Sequence, residues 1–274
     1  MKRVWLLAFV VGCGGTATAP SAVAPIASTA TTGTPATAST APAAQRAWSY
    51  SGDTGPATWG DLDPSFGLCK TGTAQSPIDL PPSPAHRQPG LAKPRWDPVP
   101  LNITNTGHSI QVDDGAASSL MVNGTEYKLA QFHFHSPAEH TLGGRSFDLE
   151  MHLVHKSGDG KVAVVAILFG TGTENAVLAP VWNAMPEQPG HAVTVAGATI
   201  DVSSMLPAAP KYLRYGGSLT APPCTEGVTW LVVEPDATSL VSAEQVRKLK
   251  AITQPATNRP VQPLGTREVV ELAP

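Results

Sequence analysis

The run from Gln131 to His135, Gln-Phe-His-Phe-His, places two histidines two positions apart among aromatic residues. Aromatic residues favour β-strands, and alternate side chains of a strand point to the same face. His133 and His135 therefore share one face with Gln131. A second run, Glu-Met-His-Leu-Val from residue 150, places Glu150 and His152 together on one face in the same way. If the two strands are neighbours, three imidazoles can converge on one point.

Three converging histidines with one open coordination position are typical of a catalytic zinc, because structural zinc sites use four protein ligands. A single strand histidine is more often a core or surface residue, and a His-x-His pair alone is weak support for a metal. The third histidine, with an acidic residue two positions before it, favours the metal. The sequence therefore predicts Zn²⁺ as the cofactor, with His133, His135 and His152 as its ligands.

The N-terminus resembles an export signal. Lys2 and Arg3 precede an apolar run, Val4 to Val11, that is too short to cross a bilayer as a helix. The following Val-Val-Gly-Cys resembles a bacterial lipobox. We expect residues 1–12 to be removed and Cys13 to be lipidated, so that the protein is periplasmic or cell-surface and anchored to a membrane by lipid. The alternative is an ordinary signal peptide with a chance cysteine.

Residues 13–46 form a second segment of distinct composition. Between Gly14 and Gln45 no residue is charged, and the composition is almost wholly Ala, Thr, Pro, Ser and Gly. Because such a segment has no apolar periodicity to bury, we interpret it as a disordered linker. Apart from the candidate lipidation site, the cysteines are Cys69 and Cys224. An even pair in an exported protein favours a disulfide over two separate thiols.

Residues 47–274 are predicted to form the folded domain, mainly β with a few peripheral helices. Strand-like segments recur between turn residues, and Asn123-Gly124 separates two of them as in a hairpin. They span residues 101–104, 109–112, 120–122, 127–134, 147–155, 162–169, 193–195 and 228–233. A capping box at Ser242 and Gln245 predicts a helix over 243–253, and a shorter helix is expected over 174–184. A net charge of −3 gives no reason to expect nucleic acid as a partner.

Motifs spread in order over residues 48–270 resemble the α-class carbonic anhydrases, and the compact link from His135 to Glu139 and the short turn over residues 157–161 resemble the bacterial members. The motifs are Gln75-Ser-Pro-Ile-Asp79, Asn105-Thr-Gly-His108, Gln131-Phe-His-Phe-His135, Ser136-Pro-Ala-Glu-His140, Glu150-Met-His-Leu-Val-His155, Gly217-Ser-Leu-Thr-Ala-Pro-Pro223 and Asn258-Arg-Pro-Val-Gln-Pro263. The resemblance implies a central twisted, mostly antiparallel sheet of about ten strands with a few peripheral helices. It also implies a zinc at the base of a cone-shaped cleft.

The resemblance implies roles for the residues around the zinc. Gln131 and Glu150 would accept hydrogen bonds from the ligand histidines on their own strand faces and so orient them. The hydroxyl of Thr220 would donate to Glu139 and accept from the zinc-bound hydroxide. This arrangement would reject ligands that lack a proton to donate.

The resemblance also implies a proton path and a substrate pocket. His108 matches the proton-shuttle position, although it could be an exposed turn histidine, and Tyr50 and Gln111 would order or line the water chain. The apolar side of the cleft would hold CO₂ against Val154, Val164, Leu219, Val228 and Trp230, each of which alone would be interpreted as core. Ala221 stands where the family commonly has threonine, so the cleft lacks one hydroxyl.

The expected function is the reversible hydration of CO₂ to bicarbonate and a proton by zinc-bound hydroxide, with His108 as proton shuttle. The zinc would lower the pKa of its bound water to about 7, a value taken from carbonic anhydrases themselves. The expected partners are CO₂, water and bicarbonate, and the bacterial members suggest a homodimer. Two alternatives remain, a non-catalytic binding protein on the same fold and a zinc esterase.

Overall fold

The structure is a computed structural model that describes residues 47–84, 86–89, 92–114 and 117–273. The predicted signal peptide (1–12), the predicted linker (13–46) and the lipidation site Cys13 lie outside the described residues. None of the helices in the described part of the chain is long and apolar enough to cross a membrane.

Strands dominate the described residues. They are β1 (Asp79–Leu80), β2 (His86–Pro89), β3 (Ala92–Arg95), β4 (Val99–Asn105), β5 (Ile110–Asp113), β6 (Ser119–Val122), β7 (Thr125–His135), β8 (Thr141–Leu142), β9 (Leu149–Ser157), β10 (Val162–Thr171), β11 (Ala192–Ile200), β12 (Tyr212–Ser218), β13 (Glu226–Val233), β14 (Leu240–Val241) and β15 (Val270–Ala273). Every strand-like segment predicted from the sequence overlaps one of these strands.

Ten of the strands form one continuous path in the order β11-β4-β5-β7-β9-β10-β13-β12-β15-β2. Neighbours along the path are antiparallel except β10 with β13 and β15 with β2, which are parallel. β6 pairs with β3 and β7, β14 pairs with β10, and β1 pairs with β8 in a small separate sheet. The predicted mainly β fold, with a mostly antiparallel sheet of about ten strands, is confirmed.

The central strands of this path are buried on both faces. β9 and β10 are buried at nearly every position, whereas β4 alternates between buried and half-buried residues as a strand with one covered face does. One core contains Phe132 and Phe134, both fully buried. A second core contains Val164 and Trp230. The two phenylalanines therefore anchor β7 from the face opposite the histidines that alternate with them.

A bulge in β7 sets which residues share the histidine face. Leu129 pairs with His155 and Gln131 pairs with Val154, so Ala130 is an extra residue in the strand. The extra residue reverses the alternation, and buried positions change from odd to even numbers along the strand.

The helices are short and peripheral. They are α1 (Trp59–Leu62), α2 (Leu68–Thr71), α3 (Ala179–Ala184) and α4 (Ala243–Ile252), with 3₁₀ turns at Gly52–Thr54, Pro64–Phe66, Ala176–Leu178 and Val202–Met205. Both hydrogen bonds of the predicted capping box between Ser242 and Gln245 are present at the start of α4. The helix expected over 174–184 is shorter, because the extended Asn175 caps a 3₁₀ turn before α3 begins.

The predicted disulfide joins Cys69 in α2 to Cys224, between β12 and β13. The two cysteines are 155 residues apart in the sequence. In the chain-entropy model a cross-link over so long a loop stabilises the fold by roughly 5 kcal/mol.

Candidate metal centre

Strand register brings the three predicted ligands together. β7 and β9 are antiparallel, and His133 lies directly opposite His152, while His135 lies opposite Glu150. The ring centroids of His133 and His135 are 5.0 Å apart, and His152 lies 5.2 Å from the first and 4.6 Å from the second. One ring nitrogen of each histidine lies within 4.8 Å of the other two.

Two of the imidazoles are oriented by acceptors on their own strands. Nδ1 of His133 donates to Oε1 of Gln131 at 2.9 Å. Nε2 of His152 donates to Oε1 of Glu150 at 2.7 Å. Because the ring nitrogen that faces each acceptor carries the proton, the lone pair is on the other nitrogen of the ring. The lone pairs of these two rings are therefore on Nε2 of His133 and Nδ1 of His152.

His135 is oriented by a residue that the sequence did not indicate. Its Nδ1 lies 2.5 Å from the main-chain carbonyl oxygen of Thr257, which is 122 residues further along the chain. Its Nε2 is buried and has no hydrogen-bond partner among the described residues. The sequence could not show this contact, because any residue type can supply a main-chain carbonyl oxygen. The motif that begins at Asn258, the next residue, is the nearest feature that the sequence analysis identified.

The donor set fits Zn²⁺. Burial lowers the pKa of His133, His135 and His152, so the neutral form that binds metal is favoured. Three neutral ring nitrogens that converge, one of them buried without a partner, match a zinc with three protein ligands and one open position.

Glu150 fixes more than one histidine. Its Oε1 also lies 2.6 Å from Nδ1 of His140, and its Oε2 accepts from the main-chain N–H groups of Glu139 and His140. Nε2 of His140 lies 2.7 Å from the hydroxyl of Tyr215. Burial opposes ionisation, but the charges and hydrogen bonds of His140 and His152 hold the pKa of Glu150 well below its ordinary value. Glu150 is therefore an ionised acceptor in a buried network.

Glu139 lies beside two of the candidate ligands. Its Oε1 accepts from the main-chain N–H of Arg259 at 2.9 Å. Its Oε2 lies 3.6 Å from Nε2 of His135 and 4.0 Å from Nδ1 of His152. Burial raises the pKa of Glu139 to about 7, against the opposing effects of His152, the Arg259 N–H and the side chain of Thr220. Thr220 is buried and lines the same cavity as the histidines.

A cavity of about 160 Å³ opens beside the histidines. Its walls include most of the predicted pocket residues, namely Val154, Val164, Leu219, Ala221 and Trp230. Val228 instead lines a second cavity of about 520 Å³, which shares Leu219 with the first. Gln111 lies opposite His133 on β5, where its side-chain amide donates to Asp113.

His108 lies in an aromatic cluster at the start of the described chain. Its ring stacks on Trp48, with centroids 3.8 Å apart and planes inclined by 7°, and its Nδ1 lies 3.3 Å from Nε2 of Gln254. The Tyr50 ring lies 6.2 Å from the His108 ring and 6.4 Å from the His135 ring. Burial lowers the pKa of the half-buried His108. Tyr50 is therefore close to both the predicted shuttle and a candidate ligand.

Comparison with known proteins places this fold and site in a family. Residues 54–273 match the family model described as eukaryotic-type carbonic anhydrase. Carbonic anhydrase from Pectobacterium carotovorum is 38% identical over 230 residues, which cover 81% of this chain and 90% of that protein. Dioscorin dioA3 from Dioscorea japonica is 40% identical over 222 residues, which cover 78% of this chain and 81% of that protein.

Solved structures give the same result. The structure of the α-carbonic anhydrase from Thermovibrio ammonificans in complex with the inhibitor sulfanilamide superimposes with a TM-score of 0.78 at 40% identity, covering 82% of this chain and 99% of that one. The mainly β fold and the three converging histidines thus come with similarity to carbonic anhydrases in both sequence and structure. The chain belongs to the α, or eukaryotic-type, carbonic anhydrase family. The predicted family and enzyme class are confirmed.

Proposed function

We propose that this protein catalyses the zinc-dependent, reversible hydration of CO₂ to bicarbonate and a proton. The observation that carries the proposal is the convergence of one ring nitrogen from each of three histidines within 4.8 Å, beside a cavity with apolar walls. A small apolar cavity suits a small uncharged substrate. Similarity to proteins named carbonic anhydrase supports the same assignment.

The three histidines would hold Zn²⁺ through Nε2 of His133, Nε2 of His135 and Nδ1 of His152. Bound zinc would supply a Lewis acid that makes a water molecule nucleophilic toward CO₂ near neutral pH. The acceptors on the opposite ring nitrogens keep each lone pair aimed at the common point. Those acceptors act before the reaction begins, because they fix the ring tautomers and orientations.

The apolar wall of the cavity would hold CO₂ by shape, because the molecule carries no net charge to bind. Val164 and Trp230 are buried, and Val154 and Leu219 are half-buried beside them. Ala221 offers no hydroxyl to the bicarbonate product.

Thr220 and Glu139 would select the ligand that binds opposite the histidines. If the ionised Glu139 accepts a hydrogen bond from the Thr220 hydroxyl, the hydroxyl oxygen can only accept a further hydrogen bond. A ligand with an N–H or O–H to donate then gains a bond that an aprotic anion cannot form.

His108 would receive the proton through water molecules. Its lowered pKa keeps the ring neutral at pH 7 and therefore ready to accept a proton. Burial raises the pKa of Tyr50 well above its ordinary value, and the negative charge of Glu139 raises it further. Tyr50 therefore stays protonated. Tyr50 can thus order water between His108 and the histidine centre, and Gln111 would line that path.

Stopped-flow measurement of CO₂ hydration, with and without a chelator, tests the proposal. We expect hydration that the chelator abolishes and added zinc restores. Zinc binding without hydration would favour a non-catalytic binding protein. Strong preference for activated esters over CO₂ would favour a zinc esterase instead.

We further propose that the protein is exported, anchored by lipid at Cys13 and homodimeric. The Cys69–Cys224 disulfide supports an oxidising compartment. Mass spectrometry of the full-length protein should find a chain that begins at an acylated Cys13, and an unmodified Cys13 would contradict the anchor. Light scattering on the folded domain should give twice the mass of one chain, and the mass of a single chain would contradict the dimer.

A further inference from the structure

Arg259 is a buried arginine that belongs to none of the roles assigned above. It is 2% exposed. Its Nη1 donates to Oε1 of Gln75 and to the carbonyl oxygen of Ser76, both at 2.8 Å. Its Nη2 donates to the carbonyl oxygen of Cys69 at 3.0 Å. Burying a cation is costly unless its hydrogen bonds are satisfied, so these three fixed oxygens determine where the guanidinium lies.

Thr220 and Glu139, which are proposed to select the ligand, are called the ligand-selecting pair below. The main chain of Arg259 binds one of them, Glu139. Its N–H donates to Oε1 of Glu139 at 2.9 Å, which leaves Oε2 facing the histidines. The position of the Glu139 carboxylate therefore depends on the position of the Arg259 backbone.

The side chain of Arg259 holds the loop that carries the other partner. Gln75, which accepts from the guanidinium, donates through Nε2 to the carbonyl oxygen of Cys224 at 3.0 Å. Cys224 ends the 219–224 loop and is bonded to Cys69, whose carbonyl oxygen also accepts from Arg259. Cys224 has a φ of +56°, a left-handed conformation that a non-glycine residue keeps only when its surroundings hold it.

We propose that Arg259 is a positioning residue that fixes the Thr220 hydroxyl relative to the Glu139 carboxylate. One residue binds Glu139 through its main chain and binds both anchors of the Thr220 loop, Gln75 and Cys69, through its side chain. The motifs that begin at Gln75 and Asn258 thereby act together as a clamp on the ligand-selecting pair. The inference rests on the proposed function, because that pair selects a ligand only beside a metal.

The clamp has a consequence that stability alone would not produce. A loosened clamp lets the Thr220 hydroxyl turn away from Glu139, so its oxygen no longer acts only as an acceptor. The protein should then lose preference for ligands that donate a proton. A sulfonamide retains one N–H after losing a proton, whereas thiocyanate has none. The ratio of their affinities therefore reports the geometry of Thr220 and Glu139.

The test compares Arg259→Lys with Arg267→Lys in the zinc-loaded protein. Lysine keeps the positive charge but cannot reproduce a planar fork that binds several oxygens at once. Arg267 is the matched control, because its guanidinium also donates to carbonyl oxygens, and these belong to Gly216, Pro263 and Leu264 rather than to Glu139, Gln75 or Cys69. Calorimetry with sulfanilamide and with thiocyanate gives the two affinities.

We expect the sulfanilamide-to-thiocyanate affinity ratio to fall about tenfold in Arg259→Lys and less than twofold in Arg267→Lys, since one hydrogen bond contributes about that factor. Equal losses of both affinities in Arg259→Lys, or an unchanged ratio, would overturn the inference. If Arg259→Lys does not fold, Gln75→Leu decides, because it breaks the path from Arg259 through Gln75 to Cys224, together with the bond of Gln75 to Glu226, while Arg259 keeps its bonds to Ser76 and Cys69. A ratio that is unchanged in Gln75→Leu would then overturn the inference.

A second readout does not need the metal. In the zinc-free protein, amide exchange at Leu219 and Cys224, which donate to Thr225 and Ala221, should accelerate about tenfold in Arg259→Lys and stay unchanged in Arg267→Lys. Uniform acceleration throughout the chain would indicate general destabilisation and contradict the clamp. Absence of CO₂ hydration in the unaltered protein would instead overturn the proposed function, which separates the two failures.

Discussion

The side-chain oxygen of Gln131 lies 2.9 Å from Nδ1 of His133, on the same face of β7 and two residues away. On β9, which pairs with β7, Glu150 and His152 form the same kind of pair. Each of the two strands therefore carries both a candidate ligand and the acceptor that orients it. Removal of such an acceptor leaves the ring free to rotate and lowers the basicity of the ligand nitrogen.

Gln131→Leu should therefore weaken zinc binding about 10- to 100-fold, the usual effect of removing an outer hydrogen bond from a metal ligand. Competition with a chromogenic chelator gives the zinc dissociation constant. Gln111→Leu is the control, since Gln111 lies on the neighbouring strand and bonds Asp113 rather than a histidine. Equal zinc affinity in both variants would contradict the role assigned to Gln131.

His108→Ala should lower the turnover of CO₂ hydration in weak buffer, because the proton would lose its acceptor near the histidine centre. A loss of about 10²-fold is typical of a missing general acid–base group, and added imidazole should restore part of it. His191→Ala is the control, since His191 is an exposed histidine outside the site. Unchanged turnover of His108→Ala in weak buffer would eliminate the shuttle assignment.

Val164→Tyr should block the substrate cavity while leaving zinc in place. Val164 is buried in the wall of a cavity of only about 160 Å³, and a phenol ring would occupy much of that space. We expect one zinc per chain with CO₂ hydration reduced at least 100-fold. Full activity in the zinc-loaded variant would contradict the location of the pocket.

The buried His155 should make the folded protein less stable at acid pH. Its Nε2 accepts from the indole N–H of Trp96 at 3.0 Å and its Nδ1 donates to the carbonyl oxygen of Leu153 at 2.9 Å, so the neutral ring is fully hydrogen-bonded. Burial lowers the pKa of His155 from 6.5 to about 4. The unfolded chain therefore binds a proton that the folded chain rejects between these pH values.

Stability from His155 should be complete above pH 6.5 and lost as the pH falls to about 4. The loss should be about 3 kcal/mol in the free energy of unfolding. His155→Gln can keep both hydrogen bonds without titrating, so its unfolding free energy should fall less over the same range. Urea unfolding of both zinc-free proteins at several pH values measures the difference, and parallel curves would contradict the account.

Local sequence patterns predicted most of the strands and the start of one helix, because alternation and helix caps depend on residues that are close together in the sequence. Alternation identified β7 and β9, and Ser242 with Gln245 identified the start of α4. The pattern could not reveal the bulge at Ala130, since one extra residue alters pairing without leaving a compositional trace. Strand β12 gives a weak signal because Gly216 and Gly217 interrupt its apolar run.

The candidate site was predictable where side chains carry the chemistry and not where the main chain does. His133, His135 and His152 were recognisable by residue type and spacing. The carbonyl oxygen of Thr257, which orients His135, could not be found, since every residue has a carbonyl group and only tertiary structure selects one. The position of Arg259 likewise depends on contacts with segments almost 200 residues away in the sequence.

The most direct test of the central claim is a titration of the zinc-free protein with zinc while CO₂ hydration is followed. Three converging histidines form one site, so activity should rise linearly to one equivalent of zinc and then remain constant. His152→Ala should bind zinc far more weakly and stay inactive at the same equivalent. Hydration that is complete without zinc, or absent at one bound zinc per chain, would contradict the claim.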